Sequence, residues 1–219
     1  ADAYLDRYIG FMTTPGNHLD TYVEEYHRNF FANYARGRRP RNCGSVEKHV
    51  SGLIGMIPLM VFYADAPDDA RQAALKHLRL THLGDRMTAA GNLLLDILLP
   101  VLDGDLLDDV ISTKIMRQDN PLLGHPFKQW LDERDDMVVG THLSSACYVE
   151  DAVPATLYLA LKYHNDLPGG LIANTNLGGD NAGRGAVLGA LLGAANGPQA
   201  FPASWIRGLR QPPIDRIPD

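Results

Sequence analysis

Glycine recurs every four residues near the C-terminal end of the chain, and this spacing constrains the fold more than any other feature. The glycines concerned are Gly185, Gly189, Gly193 and Gly197. Residues four apart share one face of a helix, so the spacing predicts a smooth strip that another helix backbone can approach closely. Because each glycine costs about 1 kcal/mol relative to alanine within a helix, we interpret the strip as a packing surface rather than a chemical one.

Apolar residues elsewhere recur with a helical period, and β-branched runs with period two are absent from the sequence. This pattern predicts an all-α fold. Helices are predicted over 4–12, 20–37, 45–58, 67–80, 87–102, 106–116, 126–134, 151–164 and 181–195. In these predictions Asp20 caps the second helix, Ser45 begins the third, Pro58 interrupts it, and Pro154 lies in the first turn of the helix over 151–164.

The length of 219 residues fits a single domain, which we place at 1–210, with an extended proline-rich tail at 211–219. The chain begins in the middle of an amphipathic pattern, which predicts an N-terminally incomplete domain. Acidic residues outnumber basic ones by 26 to 20, giving a net charge of −6, which argues against nucleic-acid or anionic-membrane partners. Its two cysteines cannot form a disulfide scaffold, so we expect a reduced, cytoplasmic setting.

The segment 173–186 carries the strongest functional signal. Gly178 and Gly179 allow a sharp turn before Asp180, which then opens a helix. Carboxylate and amide oxygens at this point suit a hard cation such as Mg²⁺, and unpaired backbone amides suit a phosphate. The predicted ligand-binding residues here are Asn176, Gly178, Gly179, Asn181 and Arg184, where Arg184 reaches a diphosphate or pairs with Asp180. The alternative is an N-capped helix after a tight turn.

A second polar cluster lies between residues 17 and 28. If Asp20 caps a helix, Glu24 and His27 follow it at spacings that bring the three side chains together, and His18 can fold back over the same end. Such a group could polarise water or bind a ribose hydroxyl, so His18, Asp20 and His27 are predicted as catalytic residues together with Asp180. The alternative is a solvated helix end with an acidic first turn.

Several of these motifs together resemble the ADP-ribosylglycohydrolase / J1-crystallin family. The run 174–197, with Gly178-Gly179-Asp180 before the glycine-striped helix and then Pro202 and Trp205, is similar to the C-terminal signature of the family. The segments 42–45 and 57–59 resemble its central Gly-Ser loop and apolar helix, and 80–82 and 148–150 fall where related family segments would.

The resemblance implies an orthogonally packed helical domain that cleaves the bond between ADP-ribose and a side chain, usually with a Mg²⁺ pair. The implied partner is ADP-ribose or an ADP-ribosylated protein or small molecule. The implied ligand-binding positions are Gly44, Ser45 and Tyr148, with Tyr148 able to stack on an adenine ring.

The sequence departs from the family at the metal motif. Family enzymes commonly read Gly-Gly-Asp-x-Asp-Thr/Ser, in which both aspartates and the hydroxyl help to hold metal. This chain matches the first aspartate with Asp180 but has Ala182 and Gly183 at the next two ligand positions. The N-terminal Asp-Asp-Thr motif has no counterpart in this sequence: either it lies upstream of Ala1, or this branch of the family never had it. Asp180 is therefore the single residue predicted as a metal ligand.

Three hypotheses follow. The first is a hydrolase of the glycosidic bond to ADP-ribose. The second is a J1-crystallin-like binding or structural protein of the same fold without hydrolytic activity, which the substitutions at Ala182 and Gly183 favour. The third is a metal-independent hydrolase or lyase that uses His18, Asp20 and His27.

Overall fold

Helices make up most of the structure, a computed structural model that describes residues 1–20 and 22–209. The α-helices are α1 (Asp2–Thr13), α2 (Glu25–Ala35), α3 (Ser51–Ile54), α4 (Ile57–Phe62), α5 (Pro67–Leu78), α6 (Asp85–Leu102), α7 (Leu107–Arg117), α8 (Phe127–Trp130), α9 (Asp135–Val138), α10 (Val149–Lys162), α11 (Leu167–Asn176), α12 (Asn181–Asn196) and α13 (Ala203–Gly208). Two-residue strands β1 (Ser45–Val46) and β2 (His82–Leu83) pair in parallel. The all-α prediction is confirmed, whereas the tail predicted at 211–219 lies outside the described residues.

Several helix bounds were predicted correctly from local sequence signals. Pro67 begins α5, and Asp68 and Asp69 lie in its first turn, where carboxylates favour the positive end of the helix dipole. Helices α6, α7 and α12 begin and end within two residues of their predicted bounds. Pro58 lies in the first turn of α4, which confirms an interruption after α3.

Other predicted bounds are wrong. Asp20 caps no helix, because α2 begins five residues later, at Glu25. Ser45 begins β1 rather than a helix, since its backbone N–H donates to Thr81 and that of Glu47 donates to Leu83. Because α10 begins at Val149, Pro154 lies inside it rather than in its first turn.

The glycine strip of α12 packs against α11, a helix that the sequence reasoning did not predict. A methyl group at Gly185 would lie 2.7 Å from the Asn174 side chain, and one at Gly189 would lie 3.8 Å from Leu171. The first site therefore requires the close approach that the spacing predicted. Gly197 lies beyond the helix and closes it with a φ of 76°.

The main core lies among α6, α10 and α12, whose buried faces are mostly leucine, valine and alanine. A smaller cluster of Leu5, Phe30, Cys43 and Leu80 fixes α1 and α2 onto the β1–β2 side of the molecule. Burying such apolar area stabilises the fold by roughly 25 cal/mol per Å². None of the helices in 1–20 and 22–209 combines the length and apolarity that crossing a bilayer requires.

Candidate functional site

Three loop segments from distant parts of the chain meet on one surface, which we call the loop junction: 45–50, 144–148 and 178–181. Backbone hydrogen bonds join them. The Val50 N–H donates to the Cys147 carbonyl at 2.8 Å, and the Asp180 N–H donates to the Ser145 carbonyl at 2.9 Å. His49 and Tyr148 form an antiparallel bridge. Segments that are far apart in the sequence thus lie next to each other at the junction.

The turn before α12 depends on its two glycines. Gly178 and Gly179 have φ values of 67° and 63°, a region that side chains with a Cβ rarely adopt. A methyl group at Gly179 would also lie 2.1 Å from the Ser145 carbonyl oxygen. The loop 144–148 can therefore sit directly on the turn.

Asp180 is half-buried at the start of α12 and is its N-cap. Its Oδ1 accepts from the Gly183 N–H at 3.0 Å, which confirms the capping interpretation without excluding a second role for Oδ2. The Asn181 side chain donates to the Thr175 carbonyl at 3.0 Å. Asn176 is exposed in the last turn of α11, so it lies on a helix rather than in the predicted loop.

Arg184 is fully buried and binds protein oxygens. Its guanidinium donates to Asn174 Oδ1 at 2.6 Å and to the Gly178 carbonyl at 3.0 Å, with longer contacts to the Asn174 and Ser145 carbonyls. Burial lowers the pKa of Arg184, while nearby Asp180 acts in the opposite direction. The structure thus places Arg184 beneath the glycine turn as a positioning residue, with its donors directed at the protein.

The residues carried over from the family resemblance lie at or beside the junction. Gly44 packs closely on the Leu80 carbonyl, where a methyl group would lie at 2.9 Å. The Ser45 hydroxyl donates to Glu47 Oε1 at 2.9 Å. Tyr148 is 37 % exposed, and Lys48 Nζ lies 3.9 Å from its ring centroid. One face of this ring is thus occupied by an ammonium group.

The metal pair that the family implies does not fit the residues at α12. Ala182 and Gly183 offer no side-chain oxygen beside Asp180, whereas Mg²⁺ prefers several oxygen ligands. Within the described part of the chain, one group could hold an ion: Glu25, Glu47 and His49 place their ligand atoms within 4.8 Å of one another.

Glu47 in that group is buried and already engaged. Burial acts to raise its pKa, but hydrogen bonds from Ser45, His49 and Asn29 outweigh this effect, so the net shift is downward. The carboxylate is therefore ionised and held by neighbouring donors. The start of α12 therefore offers no ligand set for a metal pair.

A second concave feature, which we call the histidine–tyrosine cavity, has a volume of about 370 Å³. Its aromatic walls come from α1, the segment before α2, α2 itself, α5 and β2. These rings are Tyr4, Tyr22, Tyr26, His27, His77 and His82. The ring centroids of Tyr26 and His82 are 4.3 Å apart, so these two side chains pack against each other in the wall.

Two polar atoms at this cavity lack a partner. Ser51 Oγ and His82 Nε2 are inaccessible to water and have no hydrogen bond from any described residue. His82 is only 3 % exposed, and its Nδ1 lies 2.8 Å from the Thr81 hydroxyl. Burial lowers the pKa of His82 to about 4, so its ring is neutral near pH 7.

The predicted catalytic group of His18, Asp20 and His27 assembles only in part. His18 Nδ1 lies 3.8 Å from Asp20 Oδ2, but the Asp20 side chain is 79 % exposed and does not line the cavity. His27 does line it, and its Nδ1 lies 2.6 Å from the Tyr8 hydroxyl. Burial is the main cause that lowers the pKa of His27.

The junction and the cavity adjoin beside Cys147, whose carbonyl accepts from the Val50 N–H, because Val50 directly precedes Ser51 and Gly52 of the cavity lining. Burial is the main cause that raises the pKa of this thiol, and both Asp180 and the cavity residue Glu24 add to the rise through their charges. Ser51, Tyr26 and His77 were not among the site residues predicted from the sequence. The available signal was the segment 80–82, which falls where a related family segment would and contains His82.

Comparison with known proteins identifies the family. The family model for ADP-ribosylglycohydrolase matches residues 1–219, and the chain belongs to that family. A solved structure described as an "ADP-ribosylglycohydrolase-related protein complex" is similar, with 25 % identity and a TM-score of 0.66, over 95 % of this chain and 67 % of the other. No protein with a curated description matches the chain.

Proposed function

We propose that the protein binds the ADP-ribosyl group of an ADP-ribosylated substrate at the loop junction and hydrolyses its glycosidic bond. The family acts on ADP-ribosylated substrates, which gives the class of partner. The observation that supports the site is the junction itself. The segments 45–50, 144–148 and 178–181 include Ser45, Tyr148 and Asp180 of the family motifs, and backbone hydrogen bonds join them.

The chemistry assigned to Asp180 follows from its position. One carboxylate oxygen holds the first turn of α12 through the Gly183 N–H, and we assign Oδ2 to an attacking water or a ribose hydroxyl. Glycoside hydrolysis develops positive charge at the anomeric carbon, which a nearby carboxylate stabilises. The N-terminal amides of α12 lie where a phosphate of the substrate would bind favourably.

A second function is binding without hydrolysis. Ala182 and Gly183 replace the aspartate and the hydroxyl that help to hold metal in the family enzymes, and this specific change favours a protein that keeps the fold and loses the reaction. Both proposals share the ADP-ribosyl ligand, so an experiment must measure binding and turnover separately.

The experiment combines calorimetric titration of ADP-ribose, with and without Mg²⁺, and release of ADP-ribose from an ADP-ribosylated protein. The test variant is Asp180→Asn, since asparagine caps helices about as well as aspartate and removes only the charge. The matched control is Asp166→Asn, because Asp166 caps α11 through the Gly169 N–H at the same distance of 3.0 Å.

Binding and release that fall at least tenfold in Asp180→Asn, but not in Asp166→Asn, support the hydrolase. Binding without release supports the second function. If ADP-ribose does not bind with or without Mg²⁺, both functions are wrong. Equal effects of the two variants would mean that Asp180 acts only as a cap.

A further inference from the structure

The histidine–tyrosine cavity is walled by aromatic rings from several elements that pack on one another. The centroids of Tyr26 and His27 are 3.9 Å apart, and those of Tyr4 and His77 are 4.6 Å apart. The faces of the tyrosine rings carry partial negative charge, and they attract cations that lose part of their hydration. The cavity therefore has the wall chemistry of a cation-binding pocket.

The charges of the cavity agree with its walls. Glu24 supplies a carboxylate, and neither lysine nor arginine occurs among the described residues that line the cavity. Burial is the main cause that lowers the pKa values of His27 and His77, and it lowers that of His82 to about 4. The three histidines are thus neutral near pH 7, which leaves the Glu24 charge unopposed within the cavity.

An independent observation points to a ligand with a polar group. Only 3 % of His82 is exposed, yet its Nε2 has no hydrogen-bond partner among the residues that the structure describes. Ser51 Oγ also has no partner among those residues. Buried polar atoms in folded proteins are nearly always hydrogen-bonded, and an unpaired one is destabilising. Both residues line the cavity, so a ligand hydroxyl or amine that displaces the side chains now covering these atoms would supply the missing partner.

We propose that the histidine–tyrosine cavity binds a small organic cation, with its charged group against Glu24 and the tyrosine rings and its polar group bonded to His82 and Ser51. The proposal goes beyond the proposed function, because none of the residues that line the cavity belongs to the loop junction. It concerns a ligand class, a compact ammonium compound with a hydroxyl or amine, rather than a nucleotide.

The test compares two probes of nearly identical shape on the full chain at pH 7. Choline carries a quaternary ammonium and a hydroxyl, and 3,3-dimethylbutan-1-ol replaces the charged nitrogen by carbon. Chemical shifts of the histidine ring protons report binding at the cavity. We expect choline to bind at least tenfold more tightly than the neutral alcohol.

Substitutions then assign the contacts. Glu24→Gln is expected to weaken choline at least tenfold and to leave the neutral alcohol unchanged, whereas Asp6→Asn, an equal change of charge at an exposed position of α1, leaves both unchanged. Tyr26→Phe keeps the ring and retains binding, and Tyr26→Leu weakens it at least fivefold.

The proposal is overturned if choline does not shift the cavity histidines at millimolar concentration, or if the neutral alcohol binds as tightly as choline. It is also overturned if adenosine binds in the cavity and choline does not, which would assign the cavity to a nucleoside. The comparison of probes uses the unaltered protein, so it decides the matter even if a variant fails to fold. ADP-ribose binding and turnover, measured separately, are not affected by these outcomes.

Discussion

The loop junction and the histidine–tyrosine cavity differ in how their polar groups are satisfied. At the junction, Arg184 and the loop backbone bind protein oxygens, so the turn carrying Asp180 has one fixed geometry. At the cavity, His82 and Ser51 keep unpaired atoms within the described part of the molecule. The difference indicates that the protein's own contacts hold the loop junction in place, whereas the histidine–tyrosine cavity has polar atoms that a ligand could bind.

The largest effect is expected from replacing Arg184, the buried side chain whose hydrogen bonds hold the loop junction together. Arg184→Met should lower the free energy of unfolding by about 4 kcal/mol, because the carbonyls and Asn174 side chain that it binds would remain buried without a donor. Urea denaturation measures this change. Arg207→Met, at an exposed position, serves as the control, and a loss below 1 kcal/mol for Arg184→Met would contradict the support role.

The cavity should lose stability on acidification because of His82. The pKa of His82 falls from an ordinary value of 6.5 to about 4 in the folded protein, so the unfolded chain binds its proton first. The free energy of unfolding is therefore unaffected by His82 above pH 6.5. As the pH falls from 6.5 to 4, protonation of His82 in the unfolded chain lowers the free energy of unfolding by about 3 kcal/mol.

Unfolding measured from pH 7 to pH 4 should show this loss in the native protein and a smaller loss in His82→Gln. The two chains share His27 and His77, so the difference between their curves isolates His82. Identical curves, or a His82 ring that titrates near 6.5 by NMR, would contradict the burial argument.

The two glycines of the turn should differ in how much stability is lost when each is replaced by alanine. Gly178→Ala meets nothing within 4 Å, so it should cost about 1 kcal/mol from its left-handed backbone alone. Gly179→Ala must also displace the Ser145 carbonyl at 2.1 Å and should cost about 2 kcal/mol more. Thermal unfolding of both variants measures the order, and equal losses would mean that the loop 144–148 yields freely.

Local signals explain what the sequence could predict. The Gly178-Gly179-Asp180 turn, the cap at α12 and the start of α5 at Pro67 are each encoded within a few residues, and the structure has them there. The Arg184 contacts were beyond reach, because its partner Asn174 lies on α11, a helix with Pro168, Gly169 and Gly170 in its first turns that the sequence reasoning did not predict.

Non-local pairing explains most of the remainder. Ser45 pairs with His82 across the chain, and this tertiary contact overrides the helical period that predicted a helix from Ser45. The same applies to the cavity, whose walls come from elements that no spacing rule relates. Tyr26 and His82 became neighbours only through the packing of α2 beside β2.

The most direct test of the account is a map of backbone amide shifts on adding ADP-ribose to the full chain. Binding at the loop junction predicts the largest shifts at the amides of Val50, Cys147 and Asp180, with smaller effects at Asp166 on the distant cap. Largest shifts at His27 and His82, or no shifts at all, would contradict the assignment of the ADP-ribosyl group to the junction.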